Sequence, residues 1–388
     1  MQRTRAKLEE KASSEERSTY QFFDSWYMDD GQLFCRPEDV QDILSALDEE
    51  LGRVGATRGE GNDVKSIARI IGPETAMATI SAEWSDGNVA RTCKRPPANS
   101  DAHVLGIDLE ANPASQFDET SSKIDEIHRA IHELQDPGIE LVLLRNCADV
   151  CKITHLLRAK GHQIPEQSLH IFDKMIRECL EKIVCGRLYD EAYMQSTMGV
   201  AESGLGLRRS VDLSLPAAIA SRVQARPAIR ELLTSEFARI FPRGLIERYD
   251  AGLDEMVIKF KNNLSATAAA QAQQIIDDSS LELEEKFIDL KNGRPPPRQS
   301  PSESNFLIDA VGAEDPERPG GPPHLQHELS RILDEDRLDS LSSSLAETGL
   351  WKDIRRIKKL RDPSVSHDWL WLLNSAHGAD PAAEFAIC

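Results

Sequence analysis

WYMDDGQLF, residues 26 to 34, sets two adjacent aspartates, Asp29 and Asp30, between an aromatic run (Phe22, Phe23, Trp26, Tyr27) and a second apolar pair, Leu33 and Phe34. Residues 21 to 35 alternate with a period of two, which predicts two short strands around a tight Asp-Asp-Gly turn. Asp-Asp-Gly is also an ordinary turn sequence, because Asp and Gly accept the turn's backbone angles. Placed at a hairpin tip with anchored flanks, however, the two carboxylates are donors of the kind a hard cation takes. Mg²⁺ prefers oxygen ligands and keeps several waters. Pairs of such ions clamp the attacking and leaving oxygens in phosphoryl and nucleotidyl transfer.

Outward from the hairpin, Pro37 suits the first turn of a helix, and Val40, Ile43, Leu44, Leu47 and Leu51 follow at helical spacing. Val64 to Ile71 reads as a strand carrying Lys65. MATISAEW (77 to 84) and AHVLGIDL (102 to 109) read as two more, around a polar segment rich in Gly, Pro and Asn. Near residue 115 the period changes. Ile124, Ile127, Ile131 and Leu134 make one helical stripe. Asp136-Pro137 is a cap and first-turn pair, followed by Leu141, Leu144, Ala148 and Cys151. Leu169, Phe172, Ile176, Cys179 and Ile183 make a third stripe, and a further helix runs through Pro216 to Gln224. Residues 253 to 291 are helical with a poor stripe. Eight prolines between 294 and 323 mark a linker. Leu325, Leu329, Ile332 and Leu333 open a last helical unit.

Bulk properties bound the function. The chain has 388 residues, 40% of them hydrophobic, and a net charge of −19. That balance argues against nucleic-acid binding by the whole surface, which needs clustered Lys and Arg, and leaves room for a local basic groove. The seven cysteines have no disulfide-framework or zinc-ribbon spacing. No apolar run approaches the roughly 18 residues of a membrane span. The opening MQRTRAKLEEKASSEERSTY lacks the apolar core of a secretory signal. The expected setting is intracellular, nuclear or cytoplasmic, with no membrane partner.

Other constellations also bring chemistry-bearing residues to a regular spacing. Cys147, Cys151 and His155 recur every four residues, which suggests one helical face of packed, reduced side chains rather than a metal site. His128 and His132 are also four apart but lack the glutamate of a metalloprotease helix, so surface placement is expected. SGLGLRR (203 to 209) has glycines without the strand–turn–helix context of a phosphate loop. WKDIRRIKKLR (351 to 361) carries six cations and one acid, and either meets nucleic acid or forms a solvated helix face.

The run FFDSWYMDDGQLFCRPEDVQDILSALDEELGRVG (22 to 55), followed by VKSIARIIG (64 to 72), resembles the later palm of reverse transcriptases from non-long-terminal-repeat, LINE-like retrotransposons. RNCADVCKITHLLRAKGH (145 to 162) and SGLGLRRSVDLSLPAAIASRVQA (203 to 225) look like the thumb and connector of such enzymes. LQHELSRILDEDRLDSL (325 to 341), DWLWLLNSAH and AAEFAIC look like the segment these elements carry before a cysteine-rich and endonuclease region.

The resemblance implies an α+β, mainly α chain. It would hold a polar tail at 1–19, a partial palm with the YMDD hairpin at 20–110, and a helical thumb and connector at 111–245. A helical extension at 246–293, the Pro-rich linker at 294–323 and a C-terminal helical unit at 324–388 would follow. It also implies roles. Asp29 and Asp30 would bind Mg²⁺ or Mn²⁺, and Lys65 would assist pyrophosphate departure. Tyr27, Leu105 and Gly106 would contact the primer. Arg145, Lys152, Arg158 and Lys160 would touch the nucleic-acid backbone. The ancestral partners would be an RNA template and a DNA primer. The chain departs from the family in lacking fingers and an earlier aspartate-bearing strand ahead of Asp29. GATRGEGNDVKS (55 to 66) also replaces the usual Gly-Leu-x-Leu-Asn stretch. The expectation is therefore a fragment without polymerase activity, with exposed palm edges that can pair with another chain. The alternative is a non-catalytic helical module binding nucleic acid or protein.

Overall fold

The computed structural model describes residues 2–14, 20, 22–27, 30–57, 93, 103–104, 107–108, 112–200, 204–234, 244–291, 325–347 and 351–360. These residues are mainly helical, with two short antiparallel hairpins. They divide into two compact units, Met1–Glu110 with Leu232–Arg243, and Ala111–Glu231 with Gly244–Cys388. No helix among the described residues is long and apolar enough to cross a membrane.

In the first unit, helix α1 (Gln2–Ser14) packs on helix α2 (Val40–Arg53). The polar tail, for which a frayed helix or disorder was expected, is a helix over Gln2–Ser14. Its sequence is hydrophilic, but Thr4, Leu8 and Ala12 recur every four residues and are buried. Leu8 meets Ile43 of α2, while Lys11 pairs with Asp42 at 2.7 Å and Tyr20 donates to the same carboxylate at 2.7 Å. Strands β1 (Phe22–Tyr27) and β2 (Asp30–Cys35) form an antiparallel hairpin. Leu33 and Cys35, two residues apart and therefore on one face, pack against Val40 and Leu44 of α2. A 3₁₀ turn at Pro37–Asp39 links the hairpin to α2. Strands β3 (His103–Val104) and β4 (Ile107–Asp108) make the second hairpin. The strands expected at 64 to 71 and 77 to 84 lie outside the described residues.

The second unit is helical among its described residues. Helix α3 (Pro113–His132) starts from Asn112, whose side chain accepts the Ala114 N–H at 3.1 Å. Helix α4 (Pro137–Cys147) starts from Asp136, which accepts from Gly138 and Ile139 at 3.0 and 3.1 Å. Each thereby satisfies N–H groups that a helix start leaves unpaired. After a 3₁₀ turn at Val150–Lys152 come α5 (Thr154–Lys160), α6 (Glu166–Ile183), α7 (Asp190–Ser196) and α8 (Ser210–Thr234). Helices α9 (Leu245–Lys261), α10 (Ala266–Lys291), α11 (Leu325–Glu347) and α12 (Trp351–Leu360) complete the unit.

Three apolar cores organise these helices. The first joins α3 to α6 with the start of α8, and the edge-to-face pair Phe117–Phe172, centroids 5.7 Å apart, lies within it. The second joins α8, α9, α10 and the first half of α11. The third joins Met198, the second half of α11 and α12. The segment expected as a separate C-terminal unit therefore shares its cores with the preceding helices. Leu325, Leu329 and Ile332 enter one core, and Leu338, Leu341 and Leu345 enter another. The Pro-rich stretch between lies outside the described residues.

Candidate functional site

The β1–β2 register pairs Phe22 with Cys35, Trp26 with Gly31 and, last, Tyr27 with Asp30. Only Met28 and Asp29 separate the two strands, so the tyrosine and the second aspartate face each other across the final rung. Asp29 lies outside the described residues, as do Lys65 and the Leu105–Gly106 pair between β3 and β4. Of the residues expected around a catalytic hairpin, the fold thus brings Tyr27 and Asp30 together. Below them Cys35 is held in a low-polarity, acidic setting. Burial, then Asp39 and Glu38, push its thiol up to about 12.

The four cations expected on a phosphate-binding face have divergent surroundings. Lys152 is exposed in the 3₁₀ turn after α4. Arg145 is half-buried against the segment at Gly206, and burial followed by the nearby Arg208 holds its guanidinium below the usual range. Arg158 donates to Gln326 Oε1 at 2.9 Å and Gln224 Oε1 at 2.8 Å, tying α5 to α11 and α8. Lys160 is buried. Three of the four therefore serve the packing of the second unit.

A polar cluster that sequence reading did not anticipate surrounds residues 204–210. Asp173, on α6 and buried, accepts the Ser210 N–H at 2.6 Å and the Val211 N–H at 3.3 Å, capping α8 from another helix. Arg209 lies 3.7 Å from the same carboxylate and 3.6 Å from Asp212. Arg337 of α11 pairs with Asp212, and burial, then Arg209, pull its guanidinium down to about 10. Arg208 pairs with Asp334, which also accepts the Gly199 N–H at 3.1 Å. Asp149 is buried. Its Oδ2 accepts the Arg208 N–H at 3.1 Å, its Oδ1 has no hydrogen-bond partner, and burial pushes its carboxyl up to about 7. Asp173, Asp212 and Asp334 already have N–H or guanidinium partners, so the cluster locks the segment ahead of α8. The local signal was Arg208-Arg209 at a helix start; the acidic partners come from distant parts of the chain.

The histidines differ from expectation. His128 is buried, with Nε2 2.7 Å from the Ala148 carbonyl oxygen. His132 is partly covered: its Nδ1 lies 2.9 Å from Glu140 Oε2 and its Nε2 3.5 Å from Cys179 Sγ. Both face inward because α3 presents them to α4 and α6 along with Ile124 and Ile131. Cys179, His132 and Glu140 follow the order of nucleophile, base and orienting acid. Burial, however, pushes the Cys179 thiol up to about 12, so it stays protonated and unreactive. The three groups act as a hydrogen-bonded strut between α3, α4 and α6.

Cys147, Cys151 and His155 do not share one helical face, because the helix breaks after Cys147 and restarts at Thr154. All three are exposed rather than packed. Among the described residues no group of three or more His, Cys, Asp or Glu side chains is arranged to hold a metal ion.

Helix α12 settles the geometry of the basic run. Ile354 and Ile357 are buried in the third core, while Lys352, Arg355, Arg356 and Lys359 are exposed. Lys352 stands three and four residues before Arg355 and Arg356, and Lys359 four and three after them, which puts these cations along one stripe. No family model, curated protein or solved structure matches the chain.

Proposed function

We propose that the chain derives from an RNA-directed DNA polymerase of the LINE-like retrotransposon type and does not extend primers by itself. In this reading β1–β2 is the carboxylate hairpin of its palm. The observation carrying it is the Tyr27–Asp30 rung followed directly by α2, packed on the hairpin through Val40 and Leu44. Adjacent carboxylates at such a turn form a hard-oxygen donor set suited to Mg²⁺ or Mn²⁺. Asp29 and Asp30 would hold the ion, which when bound would neutralise charge on the reacting phosphate. One turn supplies only one edge of a two-metal site, and the polar 55 to 66 stretch departs from the family ahead of Lys65. Catalysis of this kind requires both reacting oxygens in one geometry. The test compares the native chain with Asp29→Asn plus Asp30→Asn in primer extension on poly-rA, with Mg²⁺ and with Mn²⁺. No extension by either protein is expected. Extension by the native chain that the double substitution abolishes would overturn the inactive assignment.

A second reading, a non-catalytic helical module that binds nucleic-acid backbone, is favoured by α12. Its four exposed cations stand on a helix whose opposite face is anchored in a core. Phosphate contacts of this type give affinity without reading sequence. Structured RNA should then bind equally to the native and double-substituted proteins, because the hairpin carboxylates take no part. RNA binding lost together with Asp29 and Asp30 would exclude this reading.

A further inference from the structure

The break between α4 and α5 holds two exposed thiols on an anchored bridge. Cys147 is the last residue of α4 and Cys151 lies in the following 3₁₀ turn; both are free and exposed. The residues between them are fixed from inside. Ala148, Asp149 and Val150 are buried. The Ala148 carbonyl lies 2.7 Å from His128 Nε2, and Asp149 accepts the Arg208 N–H at 3.1 Å. The Cys151 thiol folds back to donate to the Asn146 carbonyl oxygen at 3.4 Å. That carbonyl belongs to the peptide bond entering Cys147. Across a trans peptide the oxygen lies about 2.8 Å from the next Cα, so the Cys151 sulfur is within roughly 6 Å of Cys147 Cα. The remaining gap is one that rotation about the two side chains spans.

We propose that Cys147 and Cys151 form a peroxide-reactive dithiol, a modification site that closes into an intramolecular disulfide. The substrate class is a hydroperoxide. The Cys147 thiolate attacks the peroxide oxygen and breaks the O–O bond. Cys147 becomes a sulfenic acid, and the departing oxygen takes a proton to leave as water or an alcohol. The Cys151 sulfur then attacks the sulfenic sulfur. The S–S bond forms, the S–O bond breaks, and the hydroxide leaves with the Cys151 proton as water. Two thiols have lost two electrons and two protons, and the peroxide has been reduced by the same two electrons. Cys151 is assigned the second step because its sulfur already lies against the Asn146–Cys147 peptide. Cys179 and Cys93 are buried and so shielded from the reagent, whereas Cys185 is exposed and provides an internal control.

The test uses the full chain. After complete reduction it is treated with hydrogen peroxide, free thiols are alkylated, and the protein is digested with trypsin. Cleavage after Arg145 and Lys152 releases NCADVCK, which carries both cysteines. The expected product is this peptide lighter by two hydrogens, carrying no alkyl group, and restored by dithiothreitol. Cys147→Ser and Cys151→Ser should each eliminate that species, while Cys185→Ser should leave its yield unchanged. Both substitutions are at exposed positions, and circular dichroism checks that each variant keeps its helix content. The proposal is overturned if NCADVCK is recovered with both cysteines alkylated or with sulfinic or sulfonic oxygens. It is equally overturned if either cysteine is linked to Cys185 or to a second chain.

Discussion

Asp149 combines burial, one satisfied oxygen and one bare oxygen, so its protonation bears directly on the stability of the second unit. Its folded carboxyl, pushed up to about 7, lies above the unfolded value of about 3.9. Between these limits the folded state keeps a proton that the unfolded chain has released. Its contribution to stability is therefore complete below about pH 4 and lost as pH rises through about 7. Half-buried His162 works in the opposite sense. Burial, then Arg222, pull it down to about 4, so its contribution is present above about pH 6.5 and lost as pH falls through about 4. The two slopes offset each other in the native protein, so the test is a difference. Asp149→Asn keeps an acceptor for the Arg208 N–H and removes the titration. Its stability relative to native should rise between about pH 5 and about pH 8, by on the order of 2–4 kcal/mol. Urea unfolding at several pH values measures this, and parallel curves for the two proteins would refute the assignment. Gly204 gives a second prediction at this scale. A Cβ there would overlap the Met198 carbonyl oxygen and lie 2.7 Å from the Gln195 carbonyl oxygen. Neither is a flexible side-chain end, so Gly204→Ala should destabilise by about 1–3 kcal/mol in the same assay.

Helix α6 shows how a sequence pattern becomes an element. Phe172 is fully buried beside Phe117, while its neighbour Ile171 is 60% exposed. Phe172→Ala should cost about 3–5 kcal/mol, from lost transfer energy plus the cavity. Ile171→Ser should stay within about 0.5 kcal/mol. Equal costs in thermal or urea unfolding would mean that the helical register is wrong. This stripe, the stripe of α2 and the Asp136-Pro137 start of α4 were legible because each depends on residues a few positions apart. Helix α1 was harder to see. Among the described residues its buried apolar side chains are Leu8 and Ala12, and its ion pairs need α2 to be in place. Helix α8 runs past its expected end at Gln224 with Pro227 inside it, and there Arg226 and Arg230 pair with Asp250 of α9 and Arg230 with Glu284 of α10. The Cys147, Cys151 and His155 spacing misled because a four-residue period has meaning only while one helix continues, and the chain breaks at 148–153. For the Arg208–Asp334 and Arg337–Asp212 pairs the local signal went no further than Arg208-Arg209, since tertiary packing brings the partners together. At the hairpin the two strands were legible, but the expected Asp-Asp-Gly turn was misplaced, because Asp30 and Gly31 are paired in β2 opposite Tyr27 and Trp26; Lys65 and the Leu105–Gly106 pair entered through family resemblance.

At the scale of the whole molecule, a chain of net charge −19 repels polyanions unless its cations are gathered. Helix α12 gathers four of them on one exposed stripe, opposite the buried Ile354 and Ile357. That burial also discriminates between anionic partners. A membrane-surface helix inserts its apolar face into the lipid, whereas here that face is already used by Leu338, Leu341 and Leu345 of α11. Phosphates in solution need only the cations. Structured RNA should therefore bind with a dissociation constant of about 10⁻⁴–10⁻⁶ M at moderate salt, and more weakly as salt rises, through counterion release. Lys352→Glu with Lys359→Glu should weaken binding and reduce the slope of log affinity against log salt by about 1.5–2, as expected for two lost phosphate contacts. Fluorescence anisotropy across a salt series measures both quantities, with Lys152→Glu as the comparison on an exposed cation outside α12. An unchanged slope in the α12 variant and a reduced one in the Lys152 variant would move the interface to the turn before α5. Failure of the native chain to bind RNA even at low salt would instead remove nucleic-acid binding from the reading. Stronger binding to anionic vesicles than to RNA would require Ile354 and Ile357 to leave their core, and proteolysis of α12 in the presence of vesicles would detect that release.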